Sequence, residues 1–566
     1  MAAPSRAAFS EPERIVAPVE DQMNRWPGHT SYLIQYEKII PFVLSLLFIG
    51  ITTPGISWGT PEVWNPDELV IRVDEALHGG WEFDTTNFDY PSLPKYAMYA
   101  VGKVVYGLGY SRSAFIQSAR FITVLLGGAI VLLIYWITRM SGGGIYTAML
   151  ASFLTISSSE IARNTRFAHN DLYLAFFVVL TVYWLIKYNH SKNRLWLYCA
   201  FFGVGLAASS KYNGASIIIA PLVLYLASQW GQLTKRFLRI LERLFIGLAL
   251  SVLGYGIGTP RAILWAAFYI KRVVPALTQH ANYEIEPESK VGFLGQWSTL
   301  NKSLSTPIYV LFLISFTWFA FRVIWPYIRK GNIKTGSGCI KIILLTIIAF
   351  DLPILLSYNF PSRFFIPLIP LFSILSALFI QDILAQPRIR SLKYTAPTIV
   401  ASLIAILCFT FLRAASIFLL FENDARIPAS EFVKALPAGT SIEYTLYPPN
   451  IPENQFSSKH NYPIFFKKFP EQSPPQSKLY EFNQGEPGIE SRRPDYLIID
   501  SFTFDRFSEE YECTMLPVEC AFFRRLQSGQ TDYQLIKTFS YSLPAYLPLI
   551  KVSFLNPEIQ IYQRIP

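Results

Sequence analysis

Two adjacent carboxylates, Asp67 and Glu68, stand in a polar segment (58–113) that follows the first long apolar segment. A carboxylate held beside lipid can accept the proton of an attacking hydroxyl, so Asp67 is a candidate general base with Glu68 as its neighbour. A structural explanation is equally open. Asn65, Pro66 and Glu68 also have the spacing of an N-cap, a first helical residue and a capping box, in which Asp67 would only favour the helix N-terminus.

Basic side chains that could stabilise an anionic leaving group lie further along the chain. Lys211, Arg363 and Arg166 all fall at the ends of apolar segments. Fixed positive charge lowers a barrier where negative charge develops, as on a departing phosphate. Arg166 could instead anchor a helix at lipid headgroups, and Lys211 could extend to the interface. Arg363 opens a helix, where its charge opposes the helix dipole, so it is expected to have a carboxylate partner.

Asp171 has two interpretations that the sequence does not separate. It could cap the fourth apolar helix, or it could join Asp67 around a donor or a divalent cation. No His, Cys or carboxylate cluster has metal-ligand spacing, so no cofactor is firmly implied and a divalent cation is left open. Cys513 and Cys520 could form a disulfide if they lie outside the cell, or remain free thiols.

The composition explains why these residues sit between apolar segments. Apolar residue types make up 52% of the 566 residues and charged types only 16%, against about 25% in an average soluble domain. The mean hydropathy is +0.31. The formal net charge of +10 comes without a phosphate-binding glycine loop or a basic-aromatic pattern, which argues against nucleic acid as a partner. The composition predicts a polytopic membrane protein.

About eleven apolar segments are long enough to cross a membrane, since a spanning helix needs ~17–25 residues. They lie near 38–57, 114–137, 143–158, 168–187, 194–210, 213–230, 238–257, 306–325, 339–357, 362–382 and 396–420. Lys and Arg concentrate in alternate loops, which places residues 1–37 in the cytoplasm by the positive-inside rule. The loops 58–113 and 258–305 and the tail 421–566 then face outward, at the cell membrane.

The outer segments have their own secondary-structure signals. In 58–113, one helix is expected from Pro66 to Gly79-Gly80 and a second from Pro94 to about Leu108, both suited to lie on the membrane surface. The tail 421–566 is polar and Pro-rich, with a short predicted helix (429–436) and three strand-like runs at Ser441–Tyr447, Tyr496–Asp500 and Ile559–Tyr562. This pattern predicts a small extracytoplasmic α/β domain.

Several short motifs resemble those of one family of membrane enzymes. They are Pro66-Asp67-Glu68, Ala76 with Gly79-Gly80, Tyr90-Pro91-Ser92-Leu93, Arg166-Phe167-Ala168-His169-Asn170-Asp171, Ser210-Lys211-Tyr212-Asn213-Gly214 and the run from Arg363 to Pro370. Over roughly residues 35–420 the chain is similar to GT-C glycosyltransferases of family 39, which include protein O-mannosyltransferases and the bacterial lipid A aminoarabinose transferase.

This resemblance implies a function and assigns roles to residues. It implies an inverting transfer of a sugar from a polyprenyl-phosphate donor to a lipid, glycan or protein acceptor, with Asp67 catalytic. It also implies a basic residue next to the first-loop Pro motif that contacts the donor phosphate. The aminoarabinose branch has Lys directly before that motif, whereas Tyr90 occupies the place here. That departure argues against an aminoarabinose transferase and leaves Lys95 as the phosphate-contacting candidate.

Three other functions stay open from the sequence. Within the enzyme class, the alternative is an oligosaccharyl transferase or ligase that uses a polyprenyl-diphosphate donor. A secondary transporter would place Asp171 and Lys211 along a substrate path, although the chain has no evident internal repeat. A non-catalytic scaffold would use the C-terminal domain to bind a partner and would tolerate loss of Asp67.

Overall fold

The computed structural model describes residues 36–79, 90–232, 234–281, 292–330, 338–356, 361–461, 489–490, 492–508, 510–550 and 552–565. Most of the predicted cytoplasmic segment 1–37 and part of the predicted outer loop 258–305 lie outside these residues, as does Gly80. The described residues before 423 are predominantly helical, and a five-stranded sheet lies in those after it.

Each of the eleven predicted apolar segments coincides with a helix. These helices are α1 (Ile40–Thr52), α4 (Arg112–Met140), α5 (Ile145–Ile156), α7 (Asp171–Ser191), α8 (Arg194–Ser210), α9 (Ile219–Gln229), α10 (Phe237–Gly258), α14 (Thr306–Lys330), α15 (Gly338–Leu355), α16 (Ile369–Ala385) and α18 (Thr395–Glu422). By length and composition, 7 helices in the described chain qualify as membrane spans, and α1, α5 and α16 are shorter apolar helices. The fold class of a helical polytopic membrane protein is confirmed, while the number of eleven crossings stays a prediction.

Shorter helices join or flank these elements. They are α2 (Val70–Leu77), α3 (Leu93–Gly107), α6 (Ser159–Asn164), α11 (Arg261–Leu264), α12 (Ala266–Ala281), α13 (Phe293–Ser303) and α17 (Pro387–Ser391). Two 3₁₀ turns, Tyr212–Ile218 and Ser362–Phe365, come directly before α9 and shortly before α16. These turns bring Lys211 and Arg363 to neighbouring helix ends.

Small residues allow the long helices to approach closely. A side chain at Gly205 of α8 would collide with the backbone of Ser251 in α10, and one at Gly254 would collide with the carbonyl of Phe202. Gly127 of α4 leaves room for the ring of Phe48 in α1 in the same way. Such contacts are typical of helices that pack within lipid, where burial of apolar surface gives little driving force.

The first predicted helix of the loop starts later than its sequence indicates. The spacing predicted a start at Pro66, but α2 begins at Val70, and this prediction was wrong. Asn65 does cap locally, since its side-chain oxygen accepts from the backbone N–H of Asp67 at 3.1 Å. The Glu68 carboxylate is not available for a capping box because it forms a buried ion pair elsewhere. The second helix, predicted from Pro94 to about Leu108, is present as α3.

The region after α18 contains the predicted helix and strands in a mixed sheet. The elements are α19 (Arg426–Lys434), β1 (Ser441–Tyr444), β2 (Ser458–Asn461), β3 (Tyr496–Asp500), α20 (Ser501–Phe504), α21 (Glu510–Met515), α22 (Pro517–Gln527), β4 (Tyr533–Phe539) and β5 (Ile559–Arg564). The strand order is β2-β1-β3-β5-β4, with β1 parallel to β2 and β3, and β5 antiparallel to β3 and β4. Cys513 and Cys520 form a disulfide between α21 and α22.

A buried aromatic and ionic contact joins the first loop to this C-terminal region. The indole N–H of Trp58 donates to Asp424 at 3.0 Å, and Asp424 also forms an ion pair with Arg426 at 2.8 Å. The Arg426 guanidinium lies 4.4 Å from the ring centre of Trp64, which itself contacts Trp58 edge to face. Cation–π and buried ionic contacts of this kind hold the two parts in one relative position.

Candidate active site

Asp67 and Arg363 form the centre of the candidate site. Oδ2 of Asp67 lies 2.5 Å from Nη1 of Arg363, and about one third of the Asp67 side chain is exposed. Arg363 lies in the 3₁₀ turn before α16. Burial alone would lower the pKa of Arg363, but the carboxylates of Asp67 and Asp171 raise it, so the guanidinium stays charged. The expected carboxylate partner of Arg363 is therefore Asp67.

A second ionic group adjoins this pair. Asp171, the first residue of α7, accepts from Nζ of Lys211 at 2.7 Å and lies 2.8 Å from Nδ1 of His169. The Lys211 ammonium also lies 4.2 Å from the ring centre of Phe364, the residue after Arg363. A carboxylate at a helix N-terminus is favoured by the helix dipole. The prediction that Asp171 caps this helix was wrong, because Asn170 holds the N-cap position and its side chain makes no capping hydrogen bond. The Asp171 carboxylate instead orients Lys211 and His169.

His169 and Asn170 are functional candidates for which the sequence gave no role. Both are almost fully buried, and the ring of His169 contacts that of Tyr90 edge to face at 5.5 Å. Nε2 of His169 and both polar atoms of the Asn170 amide have no hydrogen-bond partner within the described chain. Buried polar groups normally have partners, so these atoms are suited to bind a ligand. The only sequence signal was their place in the motif that ends at Asp171.

Glu68 lies in a different environment from Asp67. Its carboxylate is fully buried and accepts from two nitrogens of Arg120, at 2.7 and 2.9 Å. It also accepts from the backbone N–H of Ala168 at 2.8 Å. Arg120 in turn donates to the carbonyls of Ile56 and Trp58. These contacts tie the first loop to α4 and to the segment before α7, which favours a positioning role for Glu68.

Arg166 and Lys95 are both buried. All three nitrogens of the Arg166 guanidinium donate to backbone carbonyls, those of Pro54, Ala162 and Ile51. This arrangement holds the end of α1 against α6 and leaves few donors for a phosphate. Lys95 lies in the first turn of α3, with 1% of its surface exposed.

The arrangement supports acid–base chemistry next to an anion. Asp67 offers a partly exposed carboxylate, and Arg363 and Lys211 place two positive charges beside it. The sequence-predicted residues Asp67, Asp171, Lys211 and Arg363 thus come together, although they are far apart in the chain. In the described part of the chain, no group of three or more His, Cys, Asp and Glu side chains could hold a metal ion, and the divalent cation stays untested.

Part of this chain is similar to known proteins. Residues 108–274 match the family model described as dolichyl-phosphate-mannose-protein mannosyltransferase. The chain is 28% identical over 257 residues to dolichyl-phosphate-mannose–protein mannosyltransferase 1 of Saccharomyces cerevisiae. This match covers 41% of the present chain and 30% of the yeast protein. It is 26% identical over 203 residues to YkcB of Bacillus subtilis, a protein named for mannosyltransferase activity. This match covers 34% of the present chain and 27% of YkcB.

The matched part spans less than a third of the length of either relative. Among solved structures, ArnT from Cupriavidus metallidurans bound to undecaprenyl phosphate is similar, with 12% identity, a TM-score of 0.49 and coverage of 94% of this chain and 98% of that one. Asp171, His169 and Lys211 lie inside the family match, and Asp67 and Arg363 lie outside it. The resemblance predicted from the motifs is confirmed: residues 108–274 are similar to the dolichyl-phosphate-mannose-protein mannosyltransferase family.

Proposed function

We propose that the chain is an inverting membrane glycosyltransferase that moves a mannosyl residue from a polyprenyl-phosphate donor to an acceptor hydroxyl, with Asp67 as general base. The observation that carries the proposal is the contact of 2.5 Å between Asp67 and Arg363, beside the Lys211–Asp171 pair. The description of the matching family and the name of the yeast relative support mannose, a dolichyl-type donor and a protein acceptor.

The contact between Asp67 and Arg363 suggests how the base becomes available. Nη1 of Arg363 binds Asp67, while Nε of Arg363 is buried without a hydrogen-bond partner in the described residues. An unpaired buried donor is costly, and a phosphate oxygen is a strong acceptor for it. A donor phosphate that binds the guanidinium competes with Asp67 for its positive charge. The Asp67 carboxylate then becomes a better acceptor for a proton.

The reaction follows as a single displacement. The acceptor oxygen attacks the anomeric carbon, and the bond from that carbon to the phosphate oxygen breaks, with its electron pair leaving on the phosphate. The hydroxyl proton passes to Asp67, a step that typically contributes 10²–10⁴-fold in rate. Arg363 and Lys211 stabilise the negative charge on the departing polyprenyl phosphate. One displacement inverts the configuration at the sugar carbon.

Asp171 and His169 complete the proposed donor site. Asp171 orients Lys211 and His169 at once, so it acts as a positioning residue. With Nδ1 turned to Asp171, Nε2 of His169 is the atom that remains to meet a ligand, and the amide of Asn170 follows it in the chain. Sugar hydroxyls both donate and accept, which suits this pair of side chains. We assign them to the sugar rather than to the phosphate because neither carries a fixed positive charge.

The proposed reaction takes place on the extracytoplasmic side. Alternate loops rich in Lys and Arg support a cytoplasmic N-terminus. That orientation puts the first loop, with Asp67, and the C-terminal region at the outer face. The site lies at the ends of apolar helices, so the polyprenyl tail of the donor can stay in the lipid while its phosphate and sugar reach the site.

A donor panel tests the function directly. The purified chain in lipid is incubated with several polyprenyl-phosphate sugars, polyprenyl-diphosphate glycans and cell-envelope extract as the acceptor source. Release of the free lipid carrier is followed for wild type and for Asp67→Asn, as polyprenyl phosphate from the phosphate donors and as polyprenyl diphosphate from the diphosphate donors. Release from polyprenyl-phosphate mannose that needs Asp67 is the expected result. Release from only the diphosphate donors would instead identify an oligosaccharyl transferase, and no release from any donor would support a transporter or a scaffold.

A further inference from the structure

One loop of the C-terminal region has two large apolar side chains that are almost fully exposed. The loop comprises residues 540–550, which follow β4, and none of its side chains is charged. We call it the apolar loop. Leu547 is buried, whereas Tyr546 is 79% exposed and Leu549 is 85% exposed. Exposed apolar side chains concentrated in one short loop usually mark a contact surface.

The two ends of the apolar loop are held at a common base. The side chain of Asn556 donates to the carbonyl of Tyr541 at 2.8 Å, and its backbone N–H donates to Asp424 at 2.7 Å. Leu543 and Ile550 pack against the buried aromatic cluster at the end of α18. The exposed side chains therefore belong to a loop with a fixed base.

The helix α18 indicates the depth at which the apolar loop lies. Residues 394–412 carry no charge and have the length of one membrane span, ~20 residues. Arg413, the next residue, donates to the carbonyls of Lys302 and Ser303 at the end of α13. Arg413 therefore marks the edge of the uncharged span on the side of the C-terminal region.

A contact with α18 places the apolar loop just beyond this edge. The hydroxyl of Ser416 lies 2.9 Å from the carbonyl oxygen of Pro548. Ser416 follows Arg413 by less than one helical turn, ~4.5 Å along the helix axis. The headgroup layer of a bilayer extends about 5–8 Å beyond the hydrocarbon core on each side. Pro548 and its neighbours therefore lie at the level of the lipid headgroups.

The same face of α18 is exposed one turn closer to the membrane centre. Leu412 precedes Ser416 by one turn, so both lie on one face of the helix. The Leu412 side chain is 41% exposed and belongs to the uncharged span, where its surroundings are lipid. The apolar loop thus adjoins a lipid-facing surface.

The backbone of the apolar loop is suited to the edge of a membrane. Irregular backbone is tolerated next to lipid only where its polar groups have partners. Pro544 and Pro548 have no N–H, the carbonyl of Pro544 accepts from the N–H of Leu547 at 2.9 Å, and the carbonyl of Pro548 contacts Ser416. Tyrosine is also typical of membrane interfaces, because its ring is apolar and its hydroxyl stays in contact with water.

We propose that the apolar loop inserts Tyr546 and Leu549 into the lipid leaflet on the side of the C-terminal region. Its partner is the boundary between headgroups and acyl chains, where the apolar side chains of interfacial segments lie ~5–10 Å deep. The C-terminal region is then held at the membrane by a second attachment besides α18. The aromatic cluster at the base of the loop includes Trp58 and Trp64, so the segment that leads to Asp67 packs on the same buried side chains.

Fluorescent labels at the two exposed positions test the insertion without any sugar transfer. Tyr546→Cys and Leu549→Cys are made separately in the full chain. Cys199, Cys339 and Cys408 are replaced by alanine, so that one free thiol remains for a nitrobenzoxadiazole label. Each labelled chain is placed in phosphatidylcholine nanodiscs. Quenching is measured with a nitroxide lipid labelled near the headgroup and, separately, with iodide in the water.

Two further label positions serve as controls. Leu412→Cys reports on contact with lipid, and Ser528→Cys, an exposed polar position after α22, reports on water. Labels at Tyr546→Cys and Leu549→Cys should be quenched by the nitroxide lipid and lose most of the iodide quenching that Ser528→Cys shows. Iodide quenching equal to that of Ser528→Cys would place the loop in water and overturn the proposal. Shielding from both quenchers would also overturn it, because protein, such as a second copy of the chain, would then cover the loop.

Hydrogen exchange provides a second test on a chain with its native cysteines. In lipid nanodiscs, Leu549→Glu should make the backbone amides of the apolar loop exchange about tenfold faster or more, because a leucine no longer leaves water. Val518→Glu, the same change at a residue that is 57% exposed in α22, should leave these amides unaffected. Equal exchange in wild type and Leu549→Glu would overturn the proposal, while release of the lipid carrier from a sugar donor could still establish the sugar transfer.

Discussion

Oδ2 of Asp67 accepts a hydrogen bond from Nη1 of Arg363 at 2.5 Å, although 296 positions separate the two residues in the chain. The contact fixes the first loop over the turn that precedes α16. It also couples a candidate base to a candidate phosphate ligand, so each affects the other. The negative charges of Asp67 and Asp171 balance the positive charges of Arg363 and Lys211, which allows four ionisable side chains to lie together at little electrostatic cost.

Removing the carboxylate of Asp67 should stop transfer without unfolding the chain. Asp67→Asn keeps the size of the side chain and its hydrogen-bonding ability but cannot accept the proton. We expect the rate of polyprenyl phosphate release to fall by about 10²–10⁴-fold, while the unfolding temperature changes little because the side chain is partly exposed.

The matched control is Glu75→Gln, which neutralises an exposed carboxylate in the neighbouring helix α2. Its rate should equal that of the wild type. An Asp67→Asn protein that keeps at least half of the wild-type rate would contradict the role of Asp67 as base.

Glu68 should matter for stability, although it is adjacent to Asp67. Glu68→Gln leaves the buried guanidinium of Arg120 without its counter-charge, and breaking a buried ion pair in this way costs about 3–5 kcal/mol. We expect a large loss in the free energy of unfolding, measured in detergent by thermal or denaturant unfolding. The variant Asp67→Asn, one residue away, should lose far less, and equal losses would argue against this division of roles.

The activity should depend on pH through Lys211, which lies between α8 and the following 3₁₀ turn. Burial lowers the pKa of Lys211, and the positive charge of Arg363 lowers it further, against the opposing effect of Asp171. The charged form is the one that stabilises the leaving phosphate. Activity should therefore be lost as the pH rises through this lowered pKa, below the ordinary lysine value of ~10.4.

Lys211→Arg tests the assignment, because a guanidinium keeps its charge in this pH range. The variant should retain activity at alkaline pH where the wild type has lost it, measured as the ratio of rates at each pH. An alkaline limb that is identical in both proteins would assign the titration to another group.

His169 should contribute to donor affinity. His169→Phe keeps a planar ring against Tyr90 but removes Nε2, so the proposed hydrogen bond to the donor sugar is lost. A net hydrogen bond is worth about 0.5–1.5 kcal/mol, which corresponds to about a two- to tenfold rise in KM for the donor. His190→Phe, near the C-terminal end of α7 and far from Asp171, is the control, and its KM for the donor should not change. A His169→Phe enzyme with wild-type KM would remove this residue from the donor site.

The disulfide tests which side of the membrane holds the C-terminal region. Cys513 and Cys520 are paired, and such a bond persists in oxidising compartments. Alkylation of the protein in intact cells should modify them only after a reductant is added. Cys408, exposed in α18, should react with a membrane-permeant reagent without reduction. Rapid alkylation of both residues without reductant would place the region in a reducing compartment and contradict the proposed orientation.

The sequence by itself determined the apolar helices and three of the five strands in the described residues. All eleven apolar segments coincide with helices because hydropathy over about twenty residues is a local property that needs no tertiary context. Tyr496–Asp500 was located to the residue, since five successive buried positions in a strand bounded by polar residues leave a clear pattern. The motifs also pointed to the glycosyltransferase family and to Asp67, Lys211, Arg363 and Asp171 as a candidate set.

Only the tertiary structure decided how the charged residues pair. Asp67 and Glu68 are adjacent and chemically alike, yet one contacts Arg363 and the other is buried against Arg120. Partner choice depends on which helix ends meet in space, which no local pattern records. The same reason explains why the start of α2 was predicted too early and why the sequence gave no role to His169. Both depend on contacts between segments that are far apart in the chain, Glu68 with Arg120 and Tyr90 with His169.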